Sequence, residues 1–427
     1  MPERTNKRLL DYKWIIAALC FVMVFICIGF CSTNKGLYLS AITSALDIRR
    51  SVFSVSDSIR YIATAIVNLF FGTLVARHGE KKLILAGIAC LIVTELCYIF
   101  ANTVVGFYIG SLFLGIGLSW TSTTMVGCVI NKWCKENKGT IMGAVLAANG
   151  VGGALAAQIV TPMIHAEGNP FGYRNAYKLI VVILAVLFAV ICLFFRNDPP
   201  QTEEQSAAPK SAKKRRGESW VGIEYSAARR RSYFYITCVC IFLCGTVLQG
   251  VTGMAAAHMQ DVGLSTTYVA TVVSVHSLTL AAAKFLTGFF YDHTGLRTTA
   301  TFCYIAGAVT MILLASLSST PLGMVLAMAY GIMSSLALPL ETIMLPLFSS
   351  DMFGERSYNK VLGIIVSVNT AGYACGSPVI NAAYDIWGSY RPMLFIYAGI
   401  MIFVAVFFQF ALNACQKEKK AIIAAQK

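Results

Sequence analysis

Gly72-Thr-Leu-Val-Ala76-Arg77-His-Gly79-Glu-Lys81 returns as Gly288-Phe-Phe-Tyr-Asp292-His-Thr-Gly295-Leu-Arg297, 216 residues further along the chain. A glycine, a second glycine seven residues on and a cation two beyond that recur in both copies. The glycines permit close helix approach and a tight turn, and the cation stays at a polar surface. Each copy lies between two long apolar stretches, at matching places in the two parts of the chain. The spacing therefore reads as an internal duplication.

The surrounding composition says what is duplicated. Of 427 residues, 57% are hydrophobic and 13% charged, whereas soluble domains carry about 25% charged residues. A bilayer crossing takes about 20 apolar residues. On that ruler we read twelve spans, centred near residues 25, 65, 91, 117, 151, 186, 245, 277, 308, 334, 370 and 402. The net charge of +14 is not a nucleic-acid signal: 26 of the 34 basic residues fall on one side of the spans and six on the other. That bias predicts a multi-pass cell-membrane protein with both termini cytoplasmic. The first apolar stretch, Trp14 to Phe30, lacks a small-residue cleavage site and reads as an uncleaved span. The cysteines are scattered as small buried hydrophobes, and no metal or cofactor is expected.

Hydropathy collapses between Arg196 and Arg231, where Pro199-Pro200 precedes the Lys213-Lys214-Arg215-Arg216 and Arg229-Arg230-Arg231 clusters. The chain divides accordingly into a six-span half over 1–195, a cytoplasmic linker over 196–231, and a second six-span half over 232–427 with a short cytoplasmic tail. The expected fold is an all-α membrane protein, twelve transmembrane helices in two pseudo-symmetric six-helix halves.

The repeated turn resembles the signature G-x3-D-[RK]-x-G-[RK]-[RK] of the major facilitator superfamily, with Gly72, Arg77 and Gly79 in the first copy and Gly288, Asp292, Gly295 and Arg297 in the second. Ala76 replaces the family's aspartate in the first copy. The resemblance covers essentially the whole chain. A narrower one, to the monocarboxylate transporter and oxalate/formate antiporter branch, rests on three stretches: Gly36-Leu-Tyr38 with Arg50-Ser51-Val52-Phe53-Ser54; Asn131-Lys132-Trp133 with Lys138-Gly139 and Gly143; and Lys284, Gly288 and Asp292 in register. It implies a major facilitator fold, substrate bound near the midplane between the halves, and alternating access around it.

Lys284 lies inside an apolar stretch, where a cation costs about 2.5–3.5 kcal/mol on insertion scales. Such a charge faces a bundle interior or a water-filled path, and we read it as the anchor for an anion. Ser277, seven residues earlier, shares its helical face. Glu341, between Pro339 and Pro346, is the candidate partner and proton carrier, with His258 and His276 as further proton-coupling candidates. Trp120 and Thr124, in an unusually polar run of span 4, suit a cavity wall, and Tyr38 joins the substrate-binding candidates through the branch resemblance. Glu95 has the chemistry of Glu341, but the implied architecture puts its span on the periphery. Arg60 follows Asp57 by three residues, so an i,i+3 pair accounts for both. Lys35 ends span 1, close to where monocarboxylate transporters carry a functional lysine on an alignment from Ile28-Gly29-Phe30 with a one-residue gap. Snorkelling to the interface explains it equally well.

Two departures narrow the substrate. The branch's proton-coupled members carry aspartate where Leu280 stands, and its oxalate carriers place a second span 11 cation where Asn369 stands. One embedded cation balances one carboxylate. The expectation is a secondary transporter, not an enzyme, moving a small monocarboxylate by proton symport or anion exchange. Its partners are that carboxylate, the bilayer and a coupling proton or counter-anion. A larger aromatic or bile acid, or a non-transporting solute sensor, are the alternatives.

Overall fold

The computed structural model describes residues 2–133, 138–166, 168–197, 222–354 and 358–425, and all regular structure among them is helical. Twelve helices traverse the molecule. In the first half they are α1 (Tyr12–Leu46), α2 (Arg50–Leu69, extended by Phe71–His78), α3 (Glu80–Phe100), α4 (Val104–Thr121, extended by Thr123–Trp133), α5 (Lys138–Ile164) and α6 (Gly172–Phe194). In the second they are α7 (Ser232–Asp261), α8 (266–294), α9 (296–315), α10 (Pro321–Ala337, continued by Leu338–Glu341 and Met344–Phe353), α11 (Tyr358–Trp387) and α12 (Arg391–Ala425). Eleven are long and apolar enough to cross a bilayer; α2, interrupted by Asp57 and Arg60, falls outside that group. Most of the expected linker, 198–221, lies outside the described residues, as do the side chains of Asn131, Lys138 and Gly139.

The duplication is visible in the bonds. Gly79 (φ 75°) and Gly295 (φ 79°) both turn the chain in the positive-φ region, so each repeat is a corner only glycine makes cheaply. Beside the first corner, the Lys81 main-chain N–H donates to Asn197 Oδ1 at 2.7 Å; beside the second, Arg297 donates to Asn413 Oδ1. Lys81 and Arg297, like Asn197 and Asn413, are 216 residues apart. At the other face, Arg174 donates to the Ala101 carbonyl at 3.0 Å and Arg391 to that of Leu317 at 2.5 Å. Each arginine ties down a carbonyl at or just beyond the end of α3 or α9.

An even number of crossings puts both termini on one face, called here the terminal face. At the opposite face the halves are bonded together. Arg50 on α2 holds Asp261 on α7 with two bonds of 2.5 and 2.7 Å, reaches Tyr390 Oη at 3.2 Å, and lies 4.1 Å over the Tyr384 ring. Ser51 donates from its N–H to Asp385 at 3.0 Å, Gln158 on α5 donates to Ser274 on α8 at 3.0 Å, and Ser40 bonds Gln260. No comparable bond between the halves occurs near the terminal face among the described residues. Among the described residues the halves are bonded at one end and carry no such bond at the other.

Candidate functional site

Helix α8 shows where the parting begins. A Cβ built on Gly150 of α5 would stand 2.6 Å from the Ser277 carbonyl and 3.1 Å from the Ala281 Cβ, so the two backbones touch there. One heptad nearer the terminal face, Gly143 on α5 and Gly288 on α8 meet nothing within 4 Å. Lys284 follows Ala281 by three residues, about 4.5 Å along the axis, on the face that carries Ser277. It sits, half-buried, where the wedge between α5 and α8 opens. No carboxylate or carbonyl holds its ammonium among the described residues.

Glu341 lies close enough to Lys284 for the two charges to interact, without forming an ion pair. The expected kink is there: Leu338–Glu341 is a 3-10 turn, and α10 resumes only at Met344. Pro339 lacks an N–H and α10 cannot run through it unbroken. The Glu341 side chain is 7% exposed and its Oε1 has no hydrogen-bond partner. Tyr373 on α11 donates to the Glu341 carbonyl at 3.4 Å, and its ring packs 5.2 Å from Tyr61 on α2. Tyr61 and Tyr373 belong to different halves, so this contact helps roof the wedge.

Ser277 is where the periodicity put it, on the Lys284 face, but it is pressed against α5: it is 1% exposed, its hydroxyl has no partner, and a Cβ on Gly153 would lie 3.1 Å from it. His276, eight residues before Lys284 and about 12 Å from it along α8, contacts the Gly331 carbonyl at 3.2 Å and Ser334 Oγ at 2.7 Å on α10. His258 is elsewhere, near the bonded face, 3.0 Å from the Leu314 carbonyl and edge-on to Tyr390.

Two placements correct the sequence reading. Trp120 and Thr124 do not share a helical face, because α4 breaks at Ser122 (ψ −178°). Trp120 stacks on Phe71 and presses on Gly87, inside the first half, while Thr124 is exposed beyond the break. Tyr38 stacks on Tyr177 at 4.6 Å and lines a cavity with Lys35 and Asp57. Lys35 does not snorkel: its Nζ is 2.6 Å from Asp57 Oδ1. The Asp57–Arg60 pair expected from spacing is present but loose, at 3.9 Å. Glu95 is 1% exposed in the first half, with Oε2 unpartnered.

The sequence reading passed over the π-helical turn Gly29–Thr33 in α1. There the Thr33 N–H donates to the Ile28 carbonyl at 3.0 Å and its hydroxyl donates to Asn149 Oδ1 at 2.9 Å. The signal was the small-residue run of α5, Asn149-Gly150-Val-Gly152-Gly153, which lets α1 approach to backbone contact at Gly29. Such π-turns concentrate at functional sites.

Among solved structures, a point mutant of the nucleoside transporter NupG superposes with a TM-score of 0.76 at 13% identity, covering 92% of this chain and 99% of that one. A bacterial homologue of the human lysosomal transporter Spinster, inward-facing and unoccupied, gives 0.68 at 12% identity over 97% of this chain and 98% of that one. At such identities the likeness is one of fold. In sequence, the uncharacterised MFS-type transporter YcxA of Bacillus subtilis (strain 168) is 26% identical over 187 residues, a match spanning 43% of each chain. The family model of the Major Facilitator Superfamily matches residues 19–257 and 237–427. With two six-helix halves, paired glycine corners and a match along nearly its whole length, the chain belongs to the Major Facilitator Superfamily.

Proposed function

We propose that the chain carries a small organic anion, most simply a monocarboxylate, by alternating access, with Lys284 as the anion anchor. One observation carries this reading: an ammonium without a contact partner among the described residues, at the apex of a wedge open to one face. A lone cation at that depth is costly unless it meets an anion or water. The basic bias of the terminal face supports taking that face as cytoplasmic. On that assignment the conformation is inward-facing, and the Arg50–Asp261 face is the closed outer gate.

Binding a carboxylate at Lys284 neutralises the site, which lowers the cost of closing it away from water. Lys284 grips as a point charge, so the carboxylate can be held without fixed bidentate geometry. Glu341, whose Oε1 lacks a partner, is the nearest group able to hold a coupling proton. His276 borders the same region. Without coupling, the cycle completes only by exchange for a second anion.

The test is uptake of labelled formate, acetate, lactate and benzoate into proteoliposomes, with and without an imposed pH gradient. Lys284→Ala is expected to lose uptake at least tenfold and Lys284→Arg to keep part of it. Unchanged rate and half-saturation in Lys284→Ala would refute the anchor. Uptake indifferent to the gradient assigns exchange and removes the proton role of Glu341.

A further inference from the structure

A recess lies beyond Lys284, toward the bonded face. It is a cavity of about 30 Å³, room for a water or a hydroxyl group, and both halves build it. Thr33 and Asn34 line it from α1, Thr252 from α7, Val273 and His276 from α8, and Tyr330 from α10. Its polar atoms are of one kind. Asn34 is 1% exposed, and its Nδ2 donates to the Gly29 carbonyl at 3.2 Å and the Gly153 carbonyl at 3.0 Å. Two carbonyl partners fix which end of the amide is nitrogen, and Oδ1 is left buried with no partner. His276 Nδ1 lies 3.2 Å from the Gly331 carbonyl, which only accepts, so the proton sits on Nδ1 and Nε2 is an acceptor. Nε2 has no hydrogen bond among the described residues. The Thr33 hydroxyl gives its proton to Asn149 Oδ1 at 2.9 Å, and that of Thr252 to the Leu248 carbonyl at 2.8 Å. Four acceptors thus line a space of hydroxyl size, and a buried acceptor without a donor is costly.

The recess is placed for the far end of a molecule held at Lys284. Val273, which lines it, shares the Lys284 face of α8, eleven residues earlier. His276 precedes Lys284 by eight residues, about 12 Å along the axis. Helical side chains lean toward the helix N-terminus, which is the recess side. A lysine stem covers about half of that rise, so roughly 6 Å separates the ammonium from the level of the imidazole. The hydroxyl of lactate, on the carbon beside its carboxylate, does not bridge such a gap. A benzene ring with carboxylate and hydroxyl at opposite ends does.

We propose that this recess is a hydroxyl-binding subsite, and that the substrate is a monocarboxylate with a hydroxyl at its far end, 4-hydroxybenzoate being the simplest aromatic case. This rests on the Lys284 anchor argued above. Lys284 holds the carboxylate, and the hydroxyl sits between His276 Nε2 and Asn34 Oδ1 as their missing donor. The donor is neutral, because an ammonium there would meet no carboxylate among the described lining residues. The recess joins α1 of the first half to three helices of the second, so a seated hydroxyl also favours the halves closing on the substrate.

The experiment measures half-saturation for labelled 4-hydroxybenzoate and 4-methylbenzoate in proteoliposomes; the methyl group fills the space of the hydroxyl without donating. Wild type is expected to prefer the hydroxyl compound at least tenfold, since sites built to bond a hydroxyl reject the analogue that lacks it. The preference should fall at least threefold in His276→Phe and in Asn34→Leu. It is a ratio taken within each variant, so losses of rate or of folded protein cancel. Lactate and propionate should differ by less than threefold, and a tenfold preference for lactate overturns the far-end placement. A wild-type ratio near one, with uptake of both benzoates lost in Lys284→Ala, overturns the subsite, leaves the anchor standing and assigns the recess to water. A preference unchanged in His276→Phe overturns the subsite, whether or not Asn34→Leu folds. Uptake of both benzoates unchanged in Lys284→Ala overturns the anchor and this proposal with it. Uptake of neither benzoate overturns the subsite alone if any of formate, acetate and lactate is moved, and both readings if none is.

Discussion

Replacing Gly150 by alanine tests the closure of the bonded face where α5 and α8 cross most closely. The added methyl would stand 2.6 Å from the Ser277 carbonyl and 3.1 Å from the Ala281 Cβ, where ordinary contact begins near 3.4 Å. The carbonyl belongs to a helix and cannot swing aside, so α5 and α8 must separate by about 0.8 Å or the gate must open. Forced overpacking of this kind costs about 1–3 kcal/mol. The alanine also raises helix propensity by about 1 kcal/mol, but α5 is a helix in either conformation, so that gain cancels. The net effect is a shift of the conformational ratio by roughly 5- to 150-fold away from the state closed at the bonded face. Hydrogen exchange of the outer ends of α5 and α8 in detergent or lipid reads this directly and should accelerate in Gly150→Ala. Gly143→Ala is the control: nothing lies within 4 Å of it here, so it should leave exchange at the outer gate no faster than in wild type. Unchanged exchange in Gly150→Ala, with the fold intact, would refute the claim that this crossing limits the gate.

Two further outcomes follow from the same geometry. Asp261→Asn removes the charge that Arg50 grips with two bonds on α7, and a charged hydrogen bond is worth about 1.5–3 kcal/mol, so the outer gate should loosen and exchange faster; an Arg50→Asp, Asp261→Arg double variant should recover part of the protection. Gly79→Ala and Gly295→Ala place a Cβ at φ 75° and 79° with extended ψ, a region reserved for glycine, so each should lower thermal stability in detergent by about 1–3 kcal/mol; equal stability to wild type would show that the corners relax without strain.

What could be read from the chain divides by the range of the interaction. The spans were legible because crossing a bilayer is a matter of local length and apolarity. The corners were legible because a positive φ selects glycine at one position. Lys284 and Ser277 were placed on one face by the helical period alone, and both lie on that face. Pro339 announced the break before Glu341. Tertiary pairing escaped: nothing local says that Lys35 reaches Asp57 across 22 positions, so snorkelling stood as one of two readings of Lys35, and Arg60 read as half of a local pair. Aromatics misled for a different reason. A membrane protein packs Trp120 inside one half as readily as along a cavity, and the helical period cannot distinguish the two faces. The offset of 216 was under-used, since it also ties Asn197 to Asn413 at the two corners.

The duplication sharpens what the differences mean. Where both halves keep a device, as with the glycine corners and their asparagines or the arginines at the ends of α3 and α9, symmetric use in both conformations explains it. The embedded charges break the symmetry. The first half places Lys35, Asp57 and Arg60 on α1 and α2, about 15 Å from the outer end at Arg60. The second places Lys284 and Glu341 on α8 and α10, about 27 Å from it at Lys284. On the offset of 216 Arg60 corresponds to His276 and Lys284 to Asn68, so the two halves keep the frame of the duplication and not its embedded charges.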